Sequence, residues 1–333
     1  GYDAAISGDY IIGGGPQDDE GGSQAGAAYI FKKNSTSWSQ TAKLIVSDTA
    51  SNDQAGEFVN IFGDYAIIGV YTKSSSAGAA YIFKRDTGAE TWTEQEKITA
   101  SDAAASDYFG NSVSINSDYA IVGSPFNDSP DNSGSAYIFI RSGSSWTQQA
   151  KLTASDAASN DEFGLSVDIS GDYVISGANS GSQRPGSAYI FKRSGTSWSQ
   201  QAKLQASDGA TGDRFGKAVA LSGDYAVIGA YADDSPTDSG SAYIFKKDTG
   251  AETWTQQQKL IASDAAASDN FGWKVEISGD IAVIGAYYAD PGGVSGAGAA
   301  YVFERSGTTW TEIKKLTAST HATTDGRFGE GLG

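Results

Sequence analysis

The chain has no cysteine, no methionine, one histidine and six prolines in 333 residues. Without cysteine there are no disulfides and no thiolate metal sites, so stability must come from packing. The single imidazole, His321, cannot build a histidine-ligated zinc centre. A Ser-His-Asp site would have to use that same residue, and no Gly-x-Ser-x-Gly elbow surrounds a candidate serine. There is no run of 18 apolar residues, so membrane insertion by a helix is not expected. Bases are scarce as well: 23 Lys and Arg stand against 40 Asp and Glu, a formal charge of −17. That balance repels phosphate backbones and anionic membrane surfaces, and nucleic acid is not an expected partner.

What is present is a repeat. Ser7–Tyr10 (SGDY) returns as Phe62–Tyr65, Asn116–Tyr119, Ser170–Tyr173, Ser222–Tyr225 and Ser278–Ile281, which places the acids Asp9, Asp64, Asp118, Asp172, Asp224 and Asp280 at intervals of 52–56 residues. Trp38, Trp92, Trp146, Trp198, Trp254 and Trp310 recur in one phase, and Tyr29, Tyr81, Tyr137, Tyr189, Tyr243 and Tyr301 in another. Three registers sharing one period define six copies of one unit. Neighbouring units can share interfaces, so the chain exceeds the usual size of a single core without a second fold.

Within a copy the local pattern is β throughout. Phe163–Ile169 alternates, Ser170–Asp172 turns, and Tyr173–Ala178 is a nearly continuous apolar run, as for a strand buried on both faces. A Gly/Ser/Asn loop leads to Ser187–Arg193, and a second tight turn leads to the amphipathic Ser197–Ala206. Four antiparallel strands per unit and no helical period predict an all-β, six-bladed β-propeller. We read one domain of six repeats, approximately 1–57, 58–108, 109–162, 163–214, 215–270 and 271–333.

The strings Phe-Gly-x-Ser-Val-x-Ile-Ser-Gly-Asp-Tyr, Gly-Ser-Ala-Tyr-Ile-Phe and Trp-x-Gln-x-x-Lys-Leu-x-Ala-Ser-Asp resemble the bacterial branch of the FG-GAP repeats over the whole chain. That resemblance, shared with the propeller of integrin α subunits, implies extracellular or cell-surface adhesion to a glycan or an extracellular protein. The integrin-type calcium loop lies between the first two strands. Here only Ser-Gly-Asp or its equivalent stands there, too short to wrap an ion that needs six to eight oxygens.

Function is expected where the copies differ, in the loops between second and third strands. These contribute Asp18, Asp19, Glu20, Phe126, Asp128, Asp131, Tyr231, Asp233, Asp234, Asp238, Tyr287, Tyr288 and Asp290 as candidate ligand-binding residues. The crossings between blades carry Asp-x4-Asp pairs, Asp48/Asp53, Asp102/Asp107, Asp156/Asp161, Asp208/Asp213 and Asp264/Asp269. Capping of orphan amides is the preferred role for these pairs. Asp102, Asp107, Asp156, Asp161, Asp264 and Asp269 are also the candidates for a calcium ion, although no cofactor is required.

The chain is therefore read as a non-catalytic, secreted binding or adhesion propeller. A structural repeat module is the alternative. A sialidase-like hydrolase is third, suggested by Asp86-Thr87-Gly88 before Trp92 and Asp248-Thr249-Gly250 before Trp254. Phe328-Gly329 repeats the start of a first strand, so the tail is expected to complete blade one in cis, with self-association through this C-terminal segment as the other use.

Overall fold

The alternation and apolar runs form the expected strands. In a computed structural model, which describes residues 2–127, 131–181, 184–233, 237–318 and 323–333, the strands make six four-stranded antiparallel sheets. Each is ordered first to fourth along the chain. Sheet three, for example, comprises Ser112–Ile115, Tyr119–Ser124, Ser135–Ser142 and Ser145–Leu152. The fold is an all-β, six-bladed β-propeller with four antiparallel strands per blade. The chain divides into two compact units, Gly1–Ser159 with Gly333, and Asn160–Leu332. Blades one to three lie in the first and blades four to six in the second. No helix among the described residues is long and apolar enough to cross a membrane.

Burial explains the residue choice strand by strand. The second strand is buried along its whole length where it reads Tyr65–Val70 or Tyr225–Ala230, which suits β-branched residues with both faces covered. Third strands of blades two to five bury their first five residues and grade outward to polar positions, as in Ser135–Ser142. Every third-to-fourth pairing carries an irregularity at the same place, from Ile30/Phe31 to Val302/Phe303. A bulge there adds twist to each outer strand.

Blades are joined by two devices inside each unit. The first is the Phe-Gly pair that opens a blade. Phe109, Phe163, Phe215 and Phe271 are fully buried. Phe109 packs edge-on against Tyr137 at 5.5 Å and Phe139 at 6.0 Å of its own blade, while its backbone bridges Gly78 of the preceding blade. The glycine that follows lies against a glycine of the preceding blade's second strand. A Cβ on Gly69 would stand 2.0 Å from the Gly110 carbonyl oxygen, and one on Gly177 would stand 2.0 Å from that of Gly216. Phe328 bridges Gly298 in the same manner, but it is 38% exposed.

The second device is a latch on the tyrosine that opens a second strand. Tyr65 takes Trp146 of the next blade edge-on at 5.9 Å and the Arg141 guanidinium over its face at 5.0 Å. Tyr225 takes Trp310 at 5.8 Å and Arg305 at 4.6 Å. Tyr10 and Tyr173 are gripped likewise, by Trp92 with Arg85 and by Trp254 with Lys247. The same bases pair with the turn acids Asp64, Asp118, Asp224 and Asp280, so each cation joins a cation–π contact to an ion pair.

The glycine contact yields a direct expectation. Gly177→Ala forces a methyl group into a backbone oxygen and lowers stability by about 1–3 kcal/mol or more. Gly13→Ala, where a Cβ meets nothing within 4 Å, changes it by less than about 1 kcal/mol. Thermal unfolding of the two variants beside the parent protein measures the difference.

Candidate functional site

The acids picked out by the sequence are largely engaged inside the blades. Asp18 accepts from Tyr29 and from Lys43 Nζ at 2.8 Å; hydrogen bonds from Lys43 and then Tyr29 hold its carboxyl down at about 2. Asp19 caps the Gln24 amide at 2.9 Å, and Glu20 pairs with Lys43 on the surface. Asp233 takes Tyr243 at 2.8 Å and Lys259 at 3.0 Å. Asp290 caps the Gly296 amide at 2.7 Å, and the carbonyls of Asp131 and Asp238 accept from Ser159 and Asn270. Asp128, Asp234 and His321 lie outside the described residues, as does Thr320, which with Asp325 stands where a sixth Asp-x4-Asp pair would be.

The crossing pairs split their work. The first acid ties its crossing to the following blade: Asp102 accepts from Tyr137 at 2.8 Å and Lys151 at 2.5 Å, and Asp264 from Tyr301 at 2.8 Å and Lys315 at 2.6 Å. The second acid caps the amide three residues back, as Asp107 does for Ala104 at 2.8 Å and Asp269 for Ala266 at 2.9 Å. Asp161 takes Ser180 Oγ at 2.9 Å and the Arg184 guanidinium at 2.5 Å. Asp156 opens the equivalent crossing and is also engaged. Among the described residues no three His, Cys, Asp or Glu side chains converge as a metal centre. The Asp-Thr-Gly turns are local as well. Asp86 caps Gly88 and Ala89, and Asp248 caps Gly250 and Ala251, a geometry that closes a turn and presents no reactive carboxylate.

The chemically distinctive residues flank Phe-Gly. The residue before the pair, which in blade two reads Ala55-Gly56, is Gln54, Tyr108, Glu162, Arg214, Asn270 or Arg327, and all six have φ between 51° and 63°. Such values are uncommon for residues with a side chain and are recurrent at functional positions. Its carbonyl accepts from the amide three residues on, as Arg214 does from Lys217 and Asn270 from Trp273. With glycine at positive φ in the third place, this is a tight turn of type II character. It fixes two side chains at its ends, and those are the two the repeat varies.

In the second unit these turns assemble one cluster. Lys217 Nζ lies 4.5 Å from the Trp273 ring. Trp273 meets Tyr231 at 4.8 Å and Tyr287 at 4.4 Å, and Tyr287 meets Tyr288 at 4.1 Å. Arg327 stands 5.6 Å over Tyr288. Glu162 faces the charges of Arg214 and Lys217; burial raises its carboxyl above the ordinary range, and the two cations only partly offset that. Burial and the neighbouring Tyr288 push the Tyr287 phenol up. The loop residues Tyr231, Tyr287 and Tyr288 are thus brought together, but by Trp273. The first unit holds an apolar counterpart, with Tyr71 between Phe58 at 6.1 Å and Tyr108 at 5.3 Å, and Tyr108 against Phe126 at 5.0 Å.

The class this defines is a β-propeller whose blade-opening turns carry the variable chemistry. Five segments, 38–83, 92–139, 146–191, 198–245 and 254–303, match the FG-GAP repeat and cover more than half of the chain, which belongs to that family. Each match opens on a fourth-strand tryptophan and closes on the third-strand phenylalanine of the next blade, so the family unit straddles two blades. No curated protein matches the chain. Among solved structures it is similar to a protein from Lactobacillus plantarum, with a TM-score of 0.62 and 13% identity over 98% of this chain and 86% of that one. It is also similar to a periplasmic gluconolactonase of Pseudomonas aeruginosa, PpgL, with a TM-score of 0.62 and 12% identity over 94% of this chain and 85% of that one.

The last likeness corrects two expectations. An adhesion or purely structural module, with a sialidase-like hydrolase as the remote alternative, gives way, because a solved structure sharing this fold is a gluconolactonase. The reading of the chain as a non-enzyme is withdrawn with it. Scarcity of histidine does not exclude acid–base chemistry, since a carboxyl with a raised pKa can serve.

The crossing acids carry their own pH signature. Burial alone would raise Asp48, yet hydrogen bonds from Lys97 and Tyr81 and the charge of Lys73 bring it down to about 2. A depressed carboxyl contributes stability that is present above its unfolded value and lost as pH falls toward about 2. Lys97→Met is expected to cost about 0.5–1 kcal/mol at pH 6, discounted for exposure. That gap should close as Asp48 protonates, in melting curves recorded from pH 6 down to pH 2.

Proposed function

We propose that the chain is a hydrolase of cyclic esters, acting at the cluster around Glu162, Arg214, Lys217 and Trp273. The observation that carries this reading is the Glu162 carboxyl, raised by burial and faced by two cations. The fold likeness to a gluconolactonase supports the substrate class.

The chemistry follows from the groups. Ionised Glu162 takes a proton from water as the water oxygen adds to the lactone carbonyl carbon. Lys217 and Arg214 stabilise the negative charge that develops on the carbonyl oxygen. The tetrahedral intermediate collapses with cleavage of the ring C–O bond, and Glu162 returns its proton to the departing alkoxide. The product is a hydroxy acid that releases its carboxyl proton to solvent, and its carboxylate stays opposite the same two cations. Trp273 and Tyr287 offer flat apolar surfaces for the C–H face of a polyhydroxylated ring.

Glu162→Gln should lower kcat for glucono-lactone about 10²–10⁴-fold, while Trp273→Ala should mainly raise KM. Because the base must be ionised, the parent activity should fall as pH drops through a group titrating above the usual glutamate range, and Glu162→Gln should lose that limb. Rates are followed by pH-stat above the spontaneous background. Hydrolysis no faster than background, or an unimpaired Glu162→Gln protein, would overturn the reading.

A further inference from the structure

The second acid of each of the five Asp-x4-Asp crossings is almost fully buried, with Asp53, Asp107, Asp161, Asp213 and Asp269 exposed by 8%, 1%, 4%, 3% and 6%. A carboxylate at such depth needs a counter-charge or a full set of donors. Two of these crossings have a side-chain cation. Lys73, itself buried, places its ammonium 2.6 Å from Asp53 and against the Asp48 carbonyl. Arg184 pairs with Asp161 at 2.5 Å. Among the described residues, Asp107 of blade three has neither.

In blade three the residue equivalent to Lys73, three places beyond the end of the second strand, is Asn127. Its amide donates to Asp107 Oδ2 at 3.2 Å, alongside the Ala104 amide. Asp107 Oδ1 is buried and has no hydrogen-bond partner among the described residues. A shielded carboxylate oxygen with no donor marks the place of a water or an ion. The equivalent place in blade two holds an ammonium. Lys151 does not fill it, because its ammonium is spent on Asp102 at 2.5 Å and on Asn127 Oδ1 at 2.8 Å.

We propose that Asp107 Oδ1 binds an ammonium-sized monovalent cation, potassium or ammonium, which does for blade three what the Lys73 side chain does for blade two. A single carboxylate oxygen without a donor, at the place that holds a primary ammonium in blade two, favours a large, weakly hydrated monovalent ion. It does not supply the several charged oxygens that calcium takes.

The test is thermal unfolding of the full chain in choline, sodium, potassium, ammonium and calcium chlorides at constant ionic strength. Potassium and ammonium should raise Tm saturably over choline. At ten times its dissociation constant, the ion multiplies the folded-to-unfolded ratio by about eleven. Asn127→Lys carries its own ammonium, so it should melt higher than the parent in choline and lose the potassium increment. Asp107→Asn should lose the increment without the gain. Equal melting in choline and potassium, a response to calcium alone, or a potassium increment that survives in Asn127→Lys would each overturn the proposal. The first of those results would assign the position to water.

Discussion

Where one blade hands over to the next, two backbones touch with no side chain between them. Gly177 lies on the Gly216 carbonyl and Gly69 on that of Gly110, at separations that no Cβ tolerates. Much else depends on this approach. It seats the Phe-Gly turn, so Phe215 and Phe271 can fill the space between sheets. It also accompanies a left-handed conformation at the residue two places before that glycine in all six copies, ahead of phenylalanine in five and of Ala55 in one. Glycine is the only residue that allows this contact, and its loss of chain entropy is the cost.

The excess of acid has a structural use. Most of the conspicuous carboxylates answer a lysine, an arginine, a tyrosine or an open amide in the same or the next blade. Asp18, Asp102, Asp233 and Asp264 share one scheme, taking a third-strand tyrosine and a fourth-strand lysine. Acids used this way fix the crossings. Glu162 stands outside the scheme: its carboxyl is raised by burial, which Arg214 and Lys217 only partly offset.

The fold was legible because its determinants recur: a tyrosine, a tryptophan and a Gly-Asp turn at one period can hardly mean anything but repeated sheets. Partners across blades were less visible. The tryptophan register marks the period without naming a partner, and Trp146 and Trp310 key onto Tyr65 and Tyr225 of the blade before. Such a pairing depends on stacking geometry that no single repeat displays. The candidate site was legible only in part. Tyr231, Tyr287 and Tyr288 sit in loops that advertise their variability. Glu162, Arg214, Lys217 and Trp273 hide beside the least variable pair in the repeat. The signal that would have found them is the contrast itself, a Phe-Gly kept in five of six copies between two positions that range over acid, base, amide and aromatic side chains.

On the proposed function, those flanking positions form a site for a lactone and its hydroxy acid product. A crystal structure of the full chain with gluconate tests it most directly. The product carboxylate should lie between Arg214 and Lys217, within reach of Glu162, with the carbon chain along Trp273. Gluconate bound elsewhere, or no gluconate at a concentration that inhibits hydrolysis, would contradict it.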